Sequence, residues 1–317
     1  MRTEFDFIRS IKKKYDLKHV GDDCAVLPKD AKTDLVVTAD MLVEDVDFRL
    51  EWTAAESLGA KSLAVSLSDI AAMGGTPRWA MLSIAVPPAL WKRKTFIDDF
   101  YEGWFKLARQ YRVDLIGGDV SRTSDKLVID SIVTGETAKG RAVLRSGAEP
   151  GDSIFVTGSL GGAAAGLELL KSGRRTTSPA AKKGRLIERQ LRPTPRVEAG
   201  KYLSVRRWAK AMIDISDGFA ADLHHLCDAS GVGALIEIDR IPIDENLDGM
   251  TADQKLKFAL GGGEDFELLF TSDRKVFSQA ELPQITRVGE ITESARVVEV
   301  VRDGRRKFLP PFGYRHF

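Results

Sequence analysis

The sequence predicts an α/β (α+β) protein of two domains, each built on its own mixed sheet. Three observations carry this. The 317 residues are more than one core usually serves. Apolar runs with strand and helix periods alternate along the whole length. Near the middle they are interrupted by Arg145-Ser-Gly-Ala-Glu-Pro-Gly-Asp152, a run of turn formers. The boundary falls there, giving an N-terminal domain of residues 1–146 and a C-terminal domain of residues 147–317.

The elements follow in order. Residues 1–15 read as a short amphipathic helix, with Phe5, Ile8 and Ile11 on one face. Leu35 to Val43 is a strand containing Asp40. Thr53 to Met73 is a long helix, opened by a Thr cap with Glu56 three residues on and stopped at Gly74-Gly75-Thr76-Pro77. Arg78 to Val86 is a strand apolar on both faces, so it requires cover from both sides. Trp91 to Tyr111 is helical. Val113 to Ile116 is a short strand that ends in Gly117-Gly118-Asp119, and Leu127 to Thr137 alternates as a strand. The second half restarts with the strand Ser153 to Thr157, a glycine turn at 158–162 and a helix from Ala163 to Leu170. A basic exposed loop is expected at 171–183, and a helix after Pro193 and Pro195. Then come a strand from Ala211 to Ile215, a helix from Asp217 to Ala229, a strand from Phe266 to Phe270 and a hairpin at Asp303-Gly304.

Bulk properties narrow the function. With 43% hydrophobic and 29% charged residues the composition is that of a folded protein. A net charge of +1 gives no field for nucleic acid or an anionic membrane, so neither is expected as a partner. Cys24 and Cys227 form no CxxC pair, which excludes a disulfide scaffold and a cysteine-rich zinc site. The charged N-terminus has no apolar leader, and no stretch reaches the ~18–20 apolar residues of a membrane span. A cytoplasmic location is the expectation.

The informative pattern is where the acids sit. Asp22-Asp23 precede an apolar run, Asp40 lies inside a strand and Asp69 lies on an apolar helix. Asp119 ends Gly117-Gly118-Asp119, Asp214 and Asp217 flank a strand-to-helix joint, and Glu264-Asp265 follow Gly262-Gly263. A carboxylate embedded in apolar sequence is costly unless paired or bound to metal. On the helix, Ser62, Ser66 and Asp69 share a stripe at i, i+4, i+7. In the strand, Thr38 and Asp40 share a face, as do Asp214 and Ser216. Taken singly, Asp217 reads as a helix cap rather than a ligand, Asp22-Asp23 can form a turn, and Asp69 can sit in a salt bridge. Six acidic sites at element ends are too many for caps.

Sites rich in acid and poor in His and Cys suit Mg²⁺ or Mn²⁺ rather than zinc. Several such ions are useful where two polyphosphates meet, because unit charges ~4 Å apart repel by about 4 kcal/mol at an effective dielectric of 20. Arg145 is the leading cation for such a site. No P-loop motif, kinase-type His-Arg-Asp or Gly-x-Ser-x-Gly occurs, and Gly158-Ser-Leu-Gly161-Gly162 is not GxGxxG.

The ordered motifs Gly21-Asp-Asp-Cys-Ala, Thr38-Ala-Asp-Met-Leu-Val-Glu44, Ser66-Leu-Ser-Asp-Ile-Ala-Ala-Met-Gly74, Gly117-Gly-Asp119, Arg145-Ser-Gly-Ala, Asp214-Ile-Ser-Asp-Gly218 and Gly262-Gly-Glu-Asp-Phe-Glu-Leu268 resemble the thiamine-monophosphate kinase family. So does the ending Phe312-Gly-Tyr-Arg-His-Phe317. That family belongs to the aminoimidazole ribonucleotide synthetase-like ATP-binding superfamily. The resemblance implies direct in-line transfer from ATP to thiamine phosphate, aided by several Mg²⁺ ions. It also implies a homodimer whose N-terminal sheets join across the interface, with active sites near it. By residue it implies Asp23, Thr38, Asp40, Asp69, Asp119, Asp214 and Asp217 as Mg²⁺ ligands. Of these, Asp40, Asp69 and Asp119 are carboxylates set in apolar elements with few cations near them in sequence, and they are expected to hold the bridging ions. Tyr101, Gly118, Asp119, Arg145 and Ser216 are implied at ATP, and Glu264 and Phe312 at thiamine phosphate. Two departures matter. Ala39 stands where the family commonly has Thr, leaving Thr38 or a backbone carbonyl to serve the metal. Asp47 stands where the family has a His expected at the substrate, so it can help only through a metal or the cationic ring. A catalytically weak nucleotide-binding paralogue, or another enzyme of the superfamily, is the alternative.

Overall fold

The computed structural model describes residues 4–174, 178, 180–278 and 284–316. Part of the basic stretch at 171–183 and the final Phe317 lie outside them. The N-terminal half contains α1 (Glu4–Tyr15), β1 (Ala25–Pro28), β2 (Thr33–Val43), α2 (Ala55–Ala72), β3 (Thr76–Val86), α3 (Pro88–Trp91), α4 (Lys94–Tyr111), β4 (Asp114–Arg122) and β5 (Val128–Ala138). Its five strands are ordered β1-β2-β5-β3-β4, antiparallel except for the parallel pair β3 and β4. The C-terminal half contains β6 (Ser153–Thr157), α5 (Gly162–Lys171), α6 (Lys182–Leu191), α7 (Val197–Arg206), β7 (Ala211–Asp214), α8 (Phe219–Ser230), β8 (Gly233–Glu237), α9 (Ala252–Gly261), β9 (Leu268–Ser272), β10 (Ile285–Thr292), β11 (Val298–Arg302) and β12 (Arg305–Phe308). Its seven strands run β12-β11-β8-β10-β6-β9-β7, with β11 and β8 parallel. Both sheets are therefore mixed. No helix among the described residues is long and apolar enough to cross a membrane.

The pivot is α2. All its residues but Glu56, Ala60 and Asp69 are buried. A helix apolar all round belongs inside a fold, and α2 packs on the first sheet, α4, α7 and β7. Leu58, Leu63, Leu67 and Ile70 are fully enclosed, each worth ~1.5–3 kcal/mol. Small residues allow the close approach. A Cβ on Gly59 would lie 1.8 Å from the Phe100 carbonyl oxygen of α4, and one on Gly103 1.9 Å from that of Glu56.

The second sheet is covered on both faces, which explains its fully apolar short strands. Ile154, Val156, Ile213 and Leu269 face the core under α8 and α9. Phe155, Met212, Leu268 and Phe270 face the core shared with α2. Period-2 alternation thus serves two cores rather than a core and solvent.

The structure departs from the sequence expectations at several element ends. The residue before α2 is Ala54, with no side-chain cap, while the Thr53 hydroxyl is buried without a partner. Gly117-Gly118-Asp119 lies within β4 rather than ending a strand. It pairs in parallel with β3, where Gly118 is required because its Cβ would sit 1.9 Å from the Leu82 carbonyl oxygen. Asp217 does not cap α8. Gly218 precedes that helix, and Asp222 reaches back to accept from the Asp217 and Gly218 amides at 3.2 and 3.0 Å. The strand expected from Phe266 begins at Leu268. The hairpin at Asp303-Gly304 joins β11 to β12 with both residues at positive φ, as a tight turn requires.

Candidate functional site

Five carboxylates converge where β2, α2, β7 and the loop before β1 meet. Asp40 and Thr38 reach in from β2, Asp69 from α2, Asp214 from the end of β7, and Asp22 and Asp23 from the loop. One carboxylate oxygen each of Asp23, Asp69 and Asp214 lies within 4.8 Å of the others. Hydroxyls aim the acids: Thr38 donates to Asp69 at 2.5 Å, Ser66 to Asp40 at 2.7 Å and Ser68 to Asp214 at 2.6 Å. Arg145 donates through Nε to Asp23 at 3.0 Å, and its amide donates to Asp22 at 3.1 Å. The other Asp23 oxygen, Oδ2, is buried with no partner.

These groups resist ionisation together. Burial, then Asp40, Asp214 and Asp23, pushes Asp69 well above the usual carboxylate range. Asp214 is pushed up to about 8 by burial and then Asp23. Asp40 rises to about 6 through burial, against the Ser66 hydrogen bond, and Asp22 to about 6 through burial and Asp23. Burial raises the Cys24 thiol too, followed by the surrounding aspartates. A cluster with this electrostatic profile needs added positive charge to carry its full negative charge.

Beside the cluster opens a cavity of about 440 Å³. Asp40, Asp47, Lys61, Ser216, Asp217, Glu264 and Tyr314 are among the residues that line it. Two loops form one wall. Glu264 and Phe266 donate backbone N–H bonds to Ser216 and Ile215 at 2.8 and 2.9 Å, and Ile215 donates to Glu267 at 2.7 Å. A Cβ at Gly263 would lie 2.6 Å from the Ser216 carbonyl oxygen, so this crossing needs glycine. Glu264, at φ 66°, turns its carboxylate toward Lys61 Nζ at 2.6 Å. Asp47 accepts from the Val43 amide at 2.8 Å, and burial raises its pKa against that bond and nearby His316.

The residues implied by resemblance therefore separate into groups. Asp23, Thr38, Asp40, Asp69, Asp214 and Arg145 come together. Asp47, Ser216, Asp217 and Glu264 share the adjoining cavity with Asp40. Ala39 alternates onto the opposite face of β2 from Asp40, opposite Ile132. Asp119 does not join Asp40 within the chain: the register runs Asp40, Ser131, Leu82, Gly118, so β5 and β3 intervene. Tyr101 lies on α4, its ring edge-on to Phe100 at 5.6 Å, and does not line the cavity. Phe312 packs against Gly261 beside the second core, whereas Tyr314, two residues on, lines the cavity.

The sequence reading missed Lys61, Tyr314 and His316 in the cavity. It also missed a second donor group, Asp217, Asp222 and His225, whose ligand atoms lie within 4.8 Å of one another. Asp222 and His225 stand one turn apart on α8, a spacing visible in sequence. Lys61 carried no signal, since a lone lysine in an apolar helix reads as surface. The glycine turn at 158–162 holds no free anion site, because Asp265 accepts from the Gly161 and Ala163 amides at 2.6 and 3.1 Å.

Comparison with known proteins matches two family models. Residues 21–137 match the AIR synthase related protein N-terminal domain, and residues 149–302 match the C-terminal domain. The chain is 39% identical over 328 residues to the thiamine-monophosphate kinase of Bacillus subtilis, covering 99% of each. It is 37% identical over 320 residues to that of Escherichia coli K12, covering 99% of this chain and 95% of the relative. Among solved structures, AaThiL complexed with AMPPCP and TMP superposes with a TM-score of 0.89 at 36% identity, covering 99% and 97% of the two chains.

Proposed function

The chain belongs to the thiamine-monophosphate kinase family of AIR synthase related proteins, and from that premise we propose that it transfers the γ-phosphoryl group of ATP directly, in line, to thiamine monophosphate in a homodimer. The observation that carries the proposal is the meeting of Asp23, Asp69 and Asp214, with Asp40 linking them to an adjoining cavity sized for a small molecule.

The donor set fits a hard dication. It consists of oxygens only, it includes the unpartnered Asp23 Oδ2, and its carboxylates resist ionisation without added positive charge. Asp23, Asp40, Asp69 and Asp214 would hold Mg²⁺, with Asp217 as a further ligand at the cavity. Held there, Mg²⁺ would supply the charge neutralisation that phosphoryl transfer between anionic groups requires. The chain's own groups position. Thr38, Ser66 and Ser68 fix three carboxylates in orientation, and Arg145 holds Asp23 while offering guanidinium charge to ATP. Glu264 and Asp47 face the cationic ring of the acceptor. Ala39 costs the site little in this reading, because its side chain points away from Asp69 and Thr38 already binds Asp69.

Dimerisation explains Asp119, Gly118 and Tyr101. β4 is an edge strand, exposed along nearly its whole length, with Ile116 and Val120 in solvent. Met41 and Met81 are exposed on the sheet's outer face. Such an edge invites pairing with a second copy. We place Tyr101, Gly118 and Asp119 of one subunit against the acid cluster of the other, where Arg145 and Ser216 already stand. The test is ADP release with thiamine phosphate, with thiamine and without acceptor, across a Mg²⁺ series. Turnover that requires thiamine phosphate and Mg²⁺ supports the proposal, and ADP release indifferent to the acceptor refutes it.

A further inference from the structure

We propose that Lys61 binds the phosphate of the acceptor, and that the Lys61–Glu264 ion pair is the feature that reads a zwitterionic substrate. This rests on the reading of the cavity as the acceptor site. Asp40, Asp45, Asp47, Asp217 and Glu264 all line that cavity, so a phosphate enters against five acidic groups. Arg49 and Lys171 also border it, but both are exposed, whereas Lys61 is 2% exposed. A lysine is almost never this buried without a partner or a task. Glu264 engages it at 2.6 Å, and an ammonium has three donors to give.

Glu264 is itself held in place. Gln190, 4% exposed, donates through Nε2 to the second carboxylate oxygen, and the backbone of Glu264 sits at φ 66°. A non-glycine residue stays there only where its surroundings enforce it. The wall therefore presents a positive and a negative group side by side in fixed positions. Thiamine phosphate carries the matching pair, an anionic phosphate and a cationic ring. Lys61 precedes Asp69 by eight residues on α2, about 12 Å along the axis. That places the ammonium on the acceptor side of the acid cluster, where it can orient the phosphate toward the donor.

The experiment uses the full chain and the variants Lys61→Met, Lys61→Arg and Glu264→Gln. Calorimetry measures binding of thiamine phosphate and of unphosphorylated thiamine, and AMPPCP affinity reports an intact fold. Lys61→Met should weaken thiamine phosphate about 10- to 100-fold, as expected for a charged hydrogen bond, and leave thiamine unchanged. Lys61→Arg should restore most of the loss. Equal weakening of both ligands, or no weakening, would overturn the proposal and leave Lys61 as a brace for Glu264. If Lys61→Met does not fold, Lys61→Gln makes the same test. Unaltered affinity for both ligands in Glu264→Gln and Asp47→His would instead show that the acceptor binds elsewhere.

Discussion

The separation of Asp40 from Asp119 makes a sharp prediction about how active sites are shared. Their strands are three spacings apart in the first sheet, about 14 Å at ~4.8 Å per spacing. Two ligands of one Mg²⁺ lie no more than about 4 Å apart, since each bond is 2.0–2.1 Å. Within one chain the two aspartates cannot hold the same ion. If both serve one site, one of them comes from the partner subunit. Asp40→Asn and Asp119→Asn homodimers should each lose at least ~10²-fold in turnover, because positioning and charge neutralisation supply most of the catalysis. Coexpression with two different affinity tags allows the mixed dimer to be isolated. That dimer pairs an intact Asp40 with the partner's intact Asp119 at one of its two sites, so it should recover roughly half the wild-type rate. The reverse arrangement, one wild-type subunit beside an Asp40→Asn/Asp119→Asn subunit, should be inactive. A mixed dimer as inactive as its parents, with the reverse arrangement half active, would refute shared sites and confine each site to one chain.

Asp69→Asn should stabilise the metal-free protein while abolishing Mg²⁺-dependent turnover. Each ionised pair within 4.8 Å costs about 3.5 kcal/mol at an effective dielectric of 20, and partial protonation reduces the net relief to about 2 kcal/mol. Over 317 residues that is a rise in Tm of about 3 °C, read by thermal unfolding in EDTA at pH 8. The gain should shrink at pH 5.5. Asp69 and Asp214 are raised above their unfolded value, Asp214 to about 8, so the stability their protonation supplies is fully present below pH ~4 and lost as pH rises through about 8. Asp47→His should shift the KM for thiamine phosphate, or the Mg²⁺ dependence, more than the KM for ATP, with kcat little changed. Movement of the ATP KM alone would place Asp47 on the nucleotide side. Gly59→Ala should destabilise by at least 1–3 kcal/mol or prevent folding, because its methyl would overlap the Phe100 carbonyl at 1.8 Å. Unchanged thermal unfolding would show that α2 and α4 can part. Light scattering should give twice the chain mass, and Val120→Asp on the exposed edge of β4 should shift it toward the monomer.

Much was legible in the sequence because its signals are local. Periodicity marked β2, α2, β5 and β6 to within a residue or two, and apolar context made Asp40, Asp69 and Asp214 conspicuous as costly charges. The shared face of Thr38 with Asp40, and of Ser66 with Asp69, follows from strand and helix geometry alone. What tertiary structure decided is of another kind. A glycine pair followed by aspartate looks like a strand end, and only the neighbouring β3 makes it the middle of an edge strand. Asp217 heads a helix in sequence, but Asp222 takes the cap because its side chain reaches back onto two free amides. Lys61 is an ordinary lysine until β2, α6 and the loop at 262–266 close around α2 and leave Glu264 as its counter-ion. Phe312 and Tyr314 are both aromatic and two residues apart, and the packing of Gly261 against Phe312 sends one ring to the core and leaves the other at the cavity. Residue type fixes which charges are expensive, whereas the path of distant segments determines which of them meet.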